Sequence, residues 1–97
     1  MKTHEEYMEL ALEEARKAEE IDEVPVGCVI VCDGEVISRG HNLKEQLNQA
    51  YAHAEMMAIQ KAAEIKGNWC LNDCDLYVTL EPCMMCTGAI NLSRIRT

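Results

Sequence analysis

The 97 residues carry 17 acidic against 9 basic side chains, a formal charge of −8, with 48% hydrophobic and 27% charged residues. That length allows one small domain, and the balance is that of a globular chain rather than a disordered one. The negative charge excludes a broad basic surface for nucleic acid, and the longest apolar run, residues 26–32, is far too short to span a bilayer.

The N-terminal run Met1-Lys2-Thr3-His4-Glu5-Glu6 has no apolar stretch behind its lysine, so no signal peptide and a cytoplasmic location are expected. Thr3 and Glu6 have the spacing of a capping box, which opens a helix reaching about Ile21. Tyr7, Met8, Ala11, Leu12, Ala15 and Ala18 share one face of it. Glu5, Glu6, Glu9, Glu13 and Glu20 lie mostly outside that face, as a solvated surface does. Residues 26–32 read as a strand, Asp33-Gly34 as a two-residue hairpin turn, and residues 35–38 as the returning strand, closed by Gly40 and Asn42. A polar loop over residues 43–49 leads to a second helix from about His53 to Lys66, stopped by Gly67. Its buried stripe is expected to be Ala54, Met57, Ala58, Ala62 and Ile65, with Met57 as core filler. Residues 75–80 read as a third strand, and Pro82 suits the first position of a third helix ending near Leu92. A helical crossover between the second and third strands puts all three in one sheet, by a right-handed connection. The expected result is a single α/β layered domain over residues 1–97.

Six cysteines could form a disulfide framework in a secreted protein. Without an export signal, and with Cys83 and Cys86 in a Cys-x-x-Cys pair, metal binding is the better reading. A catalytic zinc takes three protein ligands and keeps a fourth position for water. Cys83 and Cys86 lie three apart behind Pro82, on one face of a helix's first turn, where free N–H groups and the helix dipole favour thiolates. His53, at the start of another helix, supplies the third ligand. Glu55 is too near His53 in sequence to ligate the same ion from mid-helix, but from a helix start it can reach the water as a general base. His-x-Glu with Pro-Cys-x-x-Cys is the signature given for zinc nucleobase deaminases. Two plainer readings stand beside it. In one, His53 caps a helix, Glu55 lies on the surface, and the two cysteines are reduced core residues. In the other, Cys70, Cys74, Cys83 and Cys86 form a four-cysteine structural site. Cys28 and Cys32 share a strand face and are expected to be small core residues.

The runs Glu23-Val24-Pro25-Val26-Gly27, Gly40-His41-Asn42, Ala52-His53-Ala54-Glu55 and Tyr77-Val78-Thr79-Leu80-Glu81-Pro82-Cys83-Met84-Met85-Cys86 resemble the bacterial tRNA adenosine deaminases. Gly88-Ala89-Ile90 and Ser93-Arg94-Ile95 continue the pattern to the end of the chain. Guanine deaminases and yeast-type cytosine deaminases share the central part of it. The resemblance implies a three-layer α/β/α, cytidine-deaminase-like fold with a mixed sheet, its strands in the order 2-1-3 over the part present. It also implies one Zn2+ per chain on His53, Cys83 and Cys86, Glu55 as proton carrier, and Asn42, Ala54 and Val26 against the substrate base. The implied reaction is hydrolysis of adenosine to inosine at the wobble position of a tRNA anticodon stem-loop, by a homodimer. The alternatives are deamination of free guanine or cytosine, or a zinc-stabilised unit without turnover. Gln49, Ala50 and Tyr51 depart from the family's Asp-Pro-Thr, and Cys28 replaces a usual alanine. The chain stops at Thr97, where a fourth strand would begin, so the C-terminal strands and helix are expected to be lacking.

Overall fold

A strand buried on both faces needs a layer on each side, and β1 (Gly27–Cys32) is such a strand. The computed structural model describes residues 3–43, 47, 52–79 and 84–95. In chain order these form α1 (His4–Glu20), β1, β2 (Glu35–His41), α2 (Ala54–Lys66), β3 (Cys74–Val78) and α3 (Met84–Leu92). Val29 and Val31 pack with Tyr7 and Ala11 of α1. Cys28 and Ile30 pack with Ala54, Ala58, Ile59 and Ala62 of α2, and Ala89 and Ile90 of α3 join that cluster. Period-two alternation along β1 therefore divides two cores, and the layers are α/β/α.

The sheet order is β2-β1-β3. β1 pairs antiparallel with both neighbours, so β2 and β3 run parallel to each other on its two sides. The parallel neighbour pair that a mixed sheet requires is not among the described residues. Asp33 (φ 51°) and Gly34 (φ 81°) are both left-handed, which closes the β1–β2 hairpin with the twist its strands need. The strand read as residues 35–38 continues to His41, because pairing with β1 runs on to Gly27↔His41 after an irregularity beside Ile30. The third strand begins at Cys74 rather than Asp75, through the Cys32↔Cys74 pair. Leu47, within the stretch read as a loop, is helical and donates its N–H to Leu43 O at 2.9 Å. Leu80 and Pro82 lie outside the described residues.

α1 begins as its sequence requires. Thr3 Oγ1 accepts from the Glu6 N–H and Glu6 Oε1 accepts from the Thr3 N–H, both at 3.2 Å. The helix backbone lies directly on β1, since a Cβ at Gly27 would fall 1.9 Å from Ala11 O. Met8 and Leu12, expected to be buried, are exposed, and Glu14 is buried in their place. α2 shows the same shift: Ile59 is buried and Ile65 is exposed. Ile65 has the right angle but sits in the last turn, next to Lys66 whose ammonium meets Cys32 at the end of β1.

Glu14, 3% exposed, ties α1 to the end of β2. Its Oε2 accepts from Lys17 Nζ at 2.7 Å, and its Oε1 accepts from His41 Nδ1 at 3.1 Å. Burial alone would raise the Glu14 carboxyl, but the two hydrogen bonds and the positive charges outweigh it and hold the group below its ordinary 4.5. A carboxyl depressed by folding stabilises the fold above its unfolded value, and that stability fades as pH falls through the folded value. Glu14→Gln is therefore expected to cost about 1–2 kcal/mol near neutral pH. The deficit should shrink below about pH 4.5, read by urea denaturation at several pH values. A deficit that stayed constant from pH 7 to pH 3 would exclude the linkage.

Candidate active site

The site assembles where α2 starts against the end of β2. A Cβ on Gly40 would lie 2.4 Å from Ala54 O and 2.8 Å from Ala58 N, so only glycine lets the first turn of α2 seat on the strand. Ser38 Oγ donates to Ala58 O at 2.9 Å from the same strand. The fully buried Ala54, Ala58 and Ala62 keep helix and sheet close.

His53 is the N-cap of α2, with extended backbone (φ −80°, ψ 155°) and no side-chain capping hydrogen bond. Its imidazole is turned toward α3, where Nδ1 lies 3.5 Å from Cys86 Sγ. Cys86 is fully buried in the first turn of α3. Glu55, in the first turn of α2, is 4% exposed. The reading of His53 as a side-chain cap and Glu55 as a surface residue is thereby corrected, because both groups point into the domain. Cys28 on β1 lies beneath them: its thiol is pushed well up by burial, then by the negative charges of Glu55 and Cys86. It is held as an uncharged thiol on the floor of the site.

Backbone bonds bring in the flanking residues. The Asn42 N–H donates to Val26 O at 3.2 Å, and the Leu43 N–H donates to Ala52 O at 2.9 Å. Asn42 is buried, Val26 is partly buried against the α2 core, and Ala54 is wholly buried. Val26, Asn42, Ala54 and Glu55 are thus gathered around the start of α2. At the other end of that wall, Thr79 N–H donates to Gly27 O, and Thr79 Oγ1 accepts from Gly27 N–H, both at 3.1 Å. Cys83 lies outside the described residues.

The donor pair that is described fits a zinc ion. Zn–N of about 2.0–2.1 Å and Zn–S of about 2.3 Å in tetrahedral geometry place the two ligand atoms roughly 3.6 Å apart, and His53 Nδ1 and Cys86 Sγ stand at 3.5 Å. The remaining cysteines go elsewhere. Cys70 is partly buried, with its N–H bonded to Asn68 Oδ1. Cys74 stands with Cys32 and Asp73, whose ligand atoms all lie within 4.8 Å of one another. Cys74 and Cys86 have different neighbours, so the four-cysteine arrangement has no counterpart among the described residues. Sequence reasoning placed Cys32 in the core by strand parity and missed this second cluster. The signal that could have found it is the β1–β3 register, which the chain alone does not announce.

Residues 1–97 match the family described as the cytidine and deoxycytidylate deaminase zinc-binding region. A tRNA-specific adenosine deaminase of Streptococcus pyogenes is 58% identical over 92% of this chain and 56% of its own length. One from Bacillus subtilis is 54% identical over 92% of this chain and 55% of its own. The chain therefore spans about half the length of these relatives. A solved structure from a study of A-to-I editing by tRNA:A34 deaminases at the wobble position superposes with TM-score 0.90 at 54% identity, over 93% of this chain and 69% of that one. The guanine deaminase of Bacillus subtilis superposes with TM-score 0.95 at 40% identity, over 98% and 61%.

If β2 and α2 hold the site together through their close approach, Gly40→Ala must push the helix start off the strand. We expect a loss of roughly 1–3 kcal/mol, as for other overpacked interiors, together with weaker zinc retention. Thermal melting and metal analysis on the purified variant measure both. Unchanged melting and zinc content would show that the approach at Gly40 is not required.

Proposed function

Because the chain belongs to the cytidine and deoxycytidylate deaminase zinc-binding family, we propose that it carries the metal site and proton carrier of an enzyme that hydrolyses adenosine to inosine at the wobble position of tRNA. The observation that supports this most is local: His53 Nδ1 and Cys86 Sγ approach to 3.5 Å while Glu55 is buried in the same helical turn as His53. The relatives named above supply the substrate class.

His53, Cys83 and Cys86 would hold one zinc per chain. When bound, zinc acts as a Lewis acid that brings the pKa of a coordinated water to about 7. Glu55 is the proton carrier: its carboxylate would take one proton from water to the purine ring and then carry the second, from the added hydroxyl, to the departing amine. Cys28 beneath it stays neutral and adds no competing negative charge. Asn42, Val26 and the Ala54 backbone would line the place of the base. An adenosine turned out of an anticodon loop is read in such a pocket by its own edges and faces, which is compatible with a chain of net charge −8. A cytoplasmic homodimer acting on the anticodon stem-loop completes the reading. The guanine deaminase likeness, with TM-score 0.95, supports a free purine as the alternative substrate.

Glu55→Gln should keep its zinc and its affinity for substrate while turnover falls by roughly two to four orders of magnitude. Cys83→Ser and Cys86→Ser should lose zinc, whereas Cys70→Ser should keep it. Near-normal deamination by Glu55→Gln would assign the proton carrier to another residue. For substrate choice, an RNA stem-loop presenting an unpaired adenosine should be converted in preference to free guanine, cytosine or adenine, as followed by ammonia release. Faster turnover of free guanine would place the chain with the guanine deaminases.

A further inference from the structure

The second thiol cluster lies at the far end of β1. Cys32 is the last residue of that strand and stands opposite Cys74, the first residue of β3. Three strand residues lie between Cys32 and Cys28, which sits under the His53–Cys86 pair, so the two thiols are about 13 Å apart along the chain. In an antiparallel ladder, hydrogen-bonded and non-hydrogen-bonded pairs alternate. Thr79 N–H donates to Gly27 O, whereas Cys74 N–H donates to Leu71 O rather than across the ladder. Counting from Gly27, the Cys32–Cys74 position is then a non-hydrogen-bonded pair. There the Cα atoms approach to about 4.5 Å, at the near end of the roughly 4.4–6.8 Å range that disulfides span. The two Sγ atoms already lie within 4.8 Å of each other.

The neighbours divide the two thiols by role. Cys32 is partly exposed; its Sγ donates to Asp73 Oδ2 at 3.2 Å and accepts from Lys66 Nζ at 3.4 Å. Lys66 is itself held by Asp73 Oδ2 at 2.5 Å. Partial exposure makes Cys32 the sulfur that a small disulfide can reach. Cys74 is wholly buried, with its Sγ 3.5 Å from Asp73 Oδ1. Its thiol is pushed up to about 12, by burial first and by Cys32 and Asp73 after that. It keeps its proton until a reaction requires it to leave.

We propose that Cys32 and Cys74 form a thiol–disulfide site on the β1–β3 ladder, with Lys66 and Asp73 as its positioning residues. The co-reactant is a small disulfide of the glutathione class. Cys32 gives its proton to solvent and attacks one sulfur, the small S–S bond breaks, and the first small thiol leaves with a proton from solvent. Cys74 then gives its proton to solvent by way of Asp73 and attacks Cys32 Sγ. The protein S–S bond forms as the second small thiol leaves. Two protein thiols are oxidised to one disulfide, and one small disulfide is reduced to two thiols. The bond would staple β1 to β3 across the whole hairpin and α2.

The test uses the zinc-loaded chain, equilibrated with graded ratios of oxidised to reduced glutathione. Free thiols are alkylated and proteolytic fragments are sequenced by mass spectrometry. The expected product is an intramolecular Cys32–Cys74 disulfide with Cys28 and Cys86 still reduced, and a melting temperature higher by roughly 10 °C or more. Cys74→Ser should stop at glutathione on Cys32, and Cys32→Ser should leave Cys74 unmodified. Lys66→Met, which removes the ammonium 3.4 Å from Cys32 Sγ, should slow oxidation several-fold without changing zinc content. If both thiols stay alkylatable while an exposed model dithiol is fully oxidised, the pairing is wrong. It is equally wrong if both resist alkylation and oxidation together, since a bound metal would then hold them. Neither result bears on deamination, so the two readings fail separately.

Discussion

The whole arrangement depends on β1 being covered on both faces at very short range. Its odd-numbered residues Val29 and Val31 meet α1, and its even-numbered residues Cys28 and Ile30 meet α2. Two glycines set the spacing: Gly27 lets α1 lie on β1, and Gly40 lets α2 lie on β2. A methyl group at either position would collide with helix backbone, which cannot yield as a flexible side chain can. Alanines 11, 15 and 18 on α1 and 54, 58 and 62 on α2 suit the same short distance. Small residues here give up buried apolar area and gain positional precision, because a helix that rests on strand backbone has little freedom to slide.

That precision matters at the helix starts. His53 and Glu55 leave α2 within its first turn, and Cys86 leaves α3 within its first turn. The His53–Cys86 contact brings the start of α2 against the first turn of α3, and the positive end of a helix dipole favours nearby negative charge. Glu55 and Cys86 are both buried around the neutral Cys28, and negative charge gathered away from water calls for a cation. A zinc ion would supply it, and the chain's membership of a zinc-binding family agrees with that.

At the opposite end of the strand the cation is supplied by the protein. Lys66 closes α2 and reaches back to Asp73 and Cys32, so the crossover from helix to β3 is anchored by an ammonium where the other end would use a metal. The Asp73 carboxyl is held well below its usual range by the hydrogen bond from Lys66 first, and Lys66 is raised by the same bond. The two ends of one sheet thus handle sulfur differently: a histidine-thiol pair beside a carboxylate at one, and a lysine-braced thiol pair at the other.

Local chemistry accounts for what was legible in the chain. The Thr3–Glu6 capping box, the Asp33-Gly34 turn and the left-handed Gly67 cap act within a few residues, so their spacing alone decides them. The Pro-Cys-x-x-Cys and His-x-Glu runs are also signals of sequence spacing, and the family matched over residues 1–97 is a zinc-binding one. Burial was legible only in part: Met8, Leu12 and Ile65 have core-facing angles and are exposed, while Glu14 is buried with bonds to Lys17 and His41. Nor was the partner of Cys32, since Cys74 meets it only through the β1–β3 register after a long crossover. The sequence by itself determined the elements and the turns. The tertiary structure decided which polar and sulfur groups meet, because pairings between distant segments depend on register and helix seating, and no local spacing encodes either.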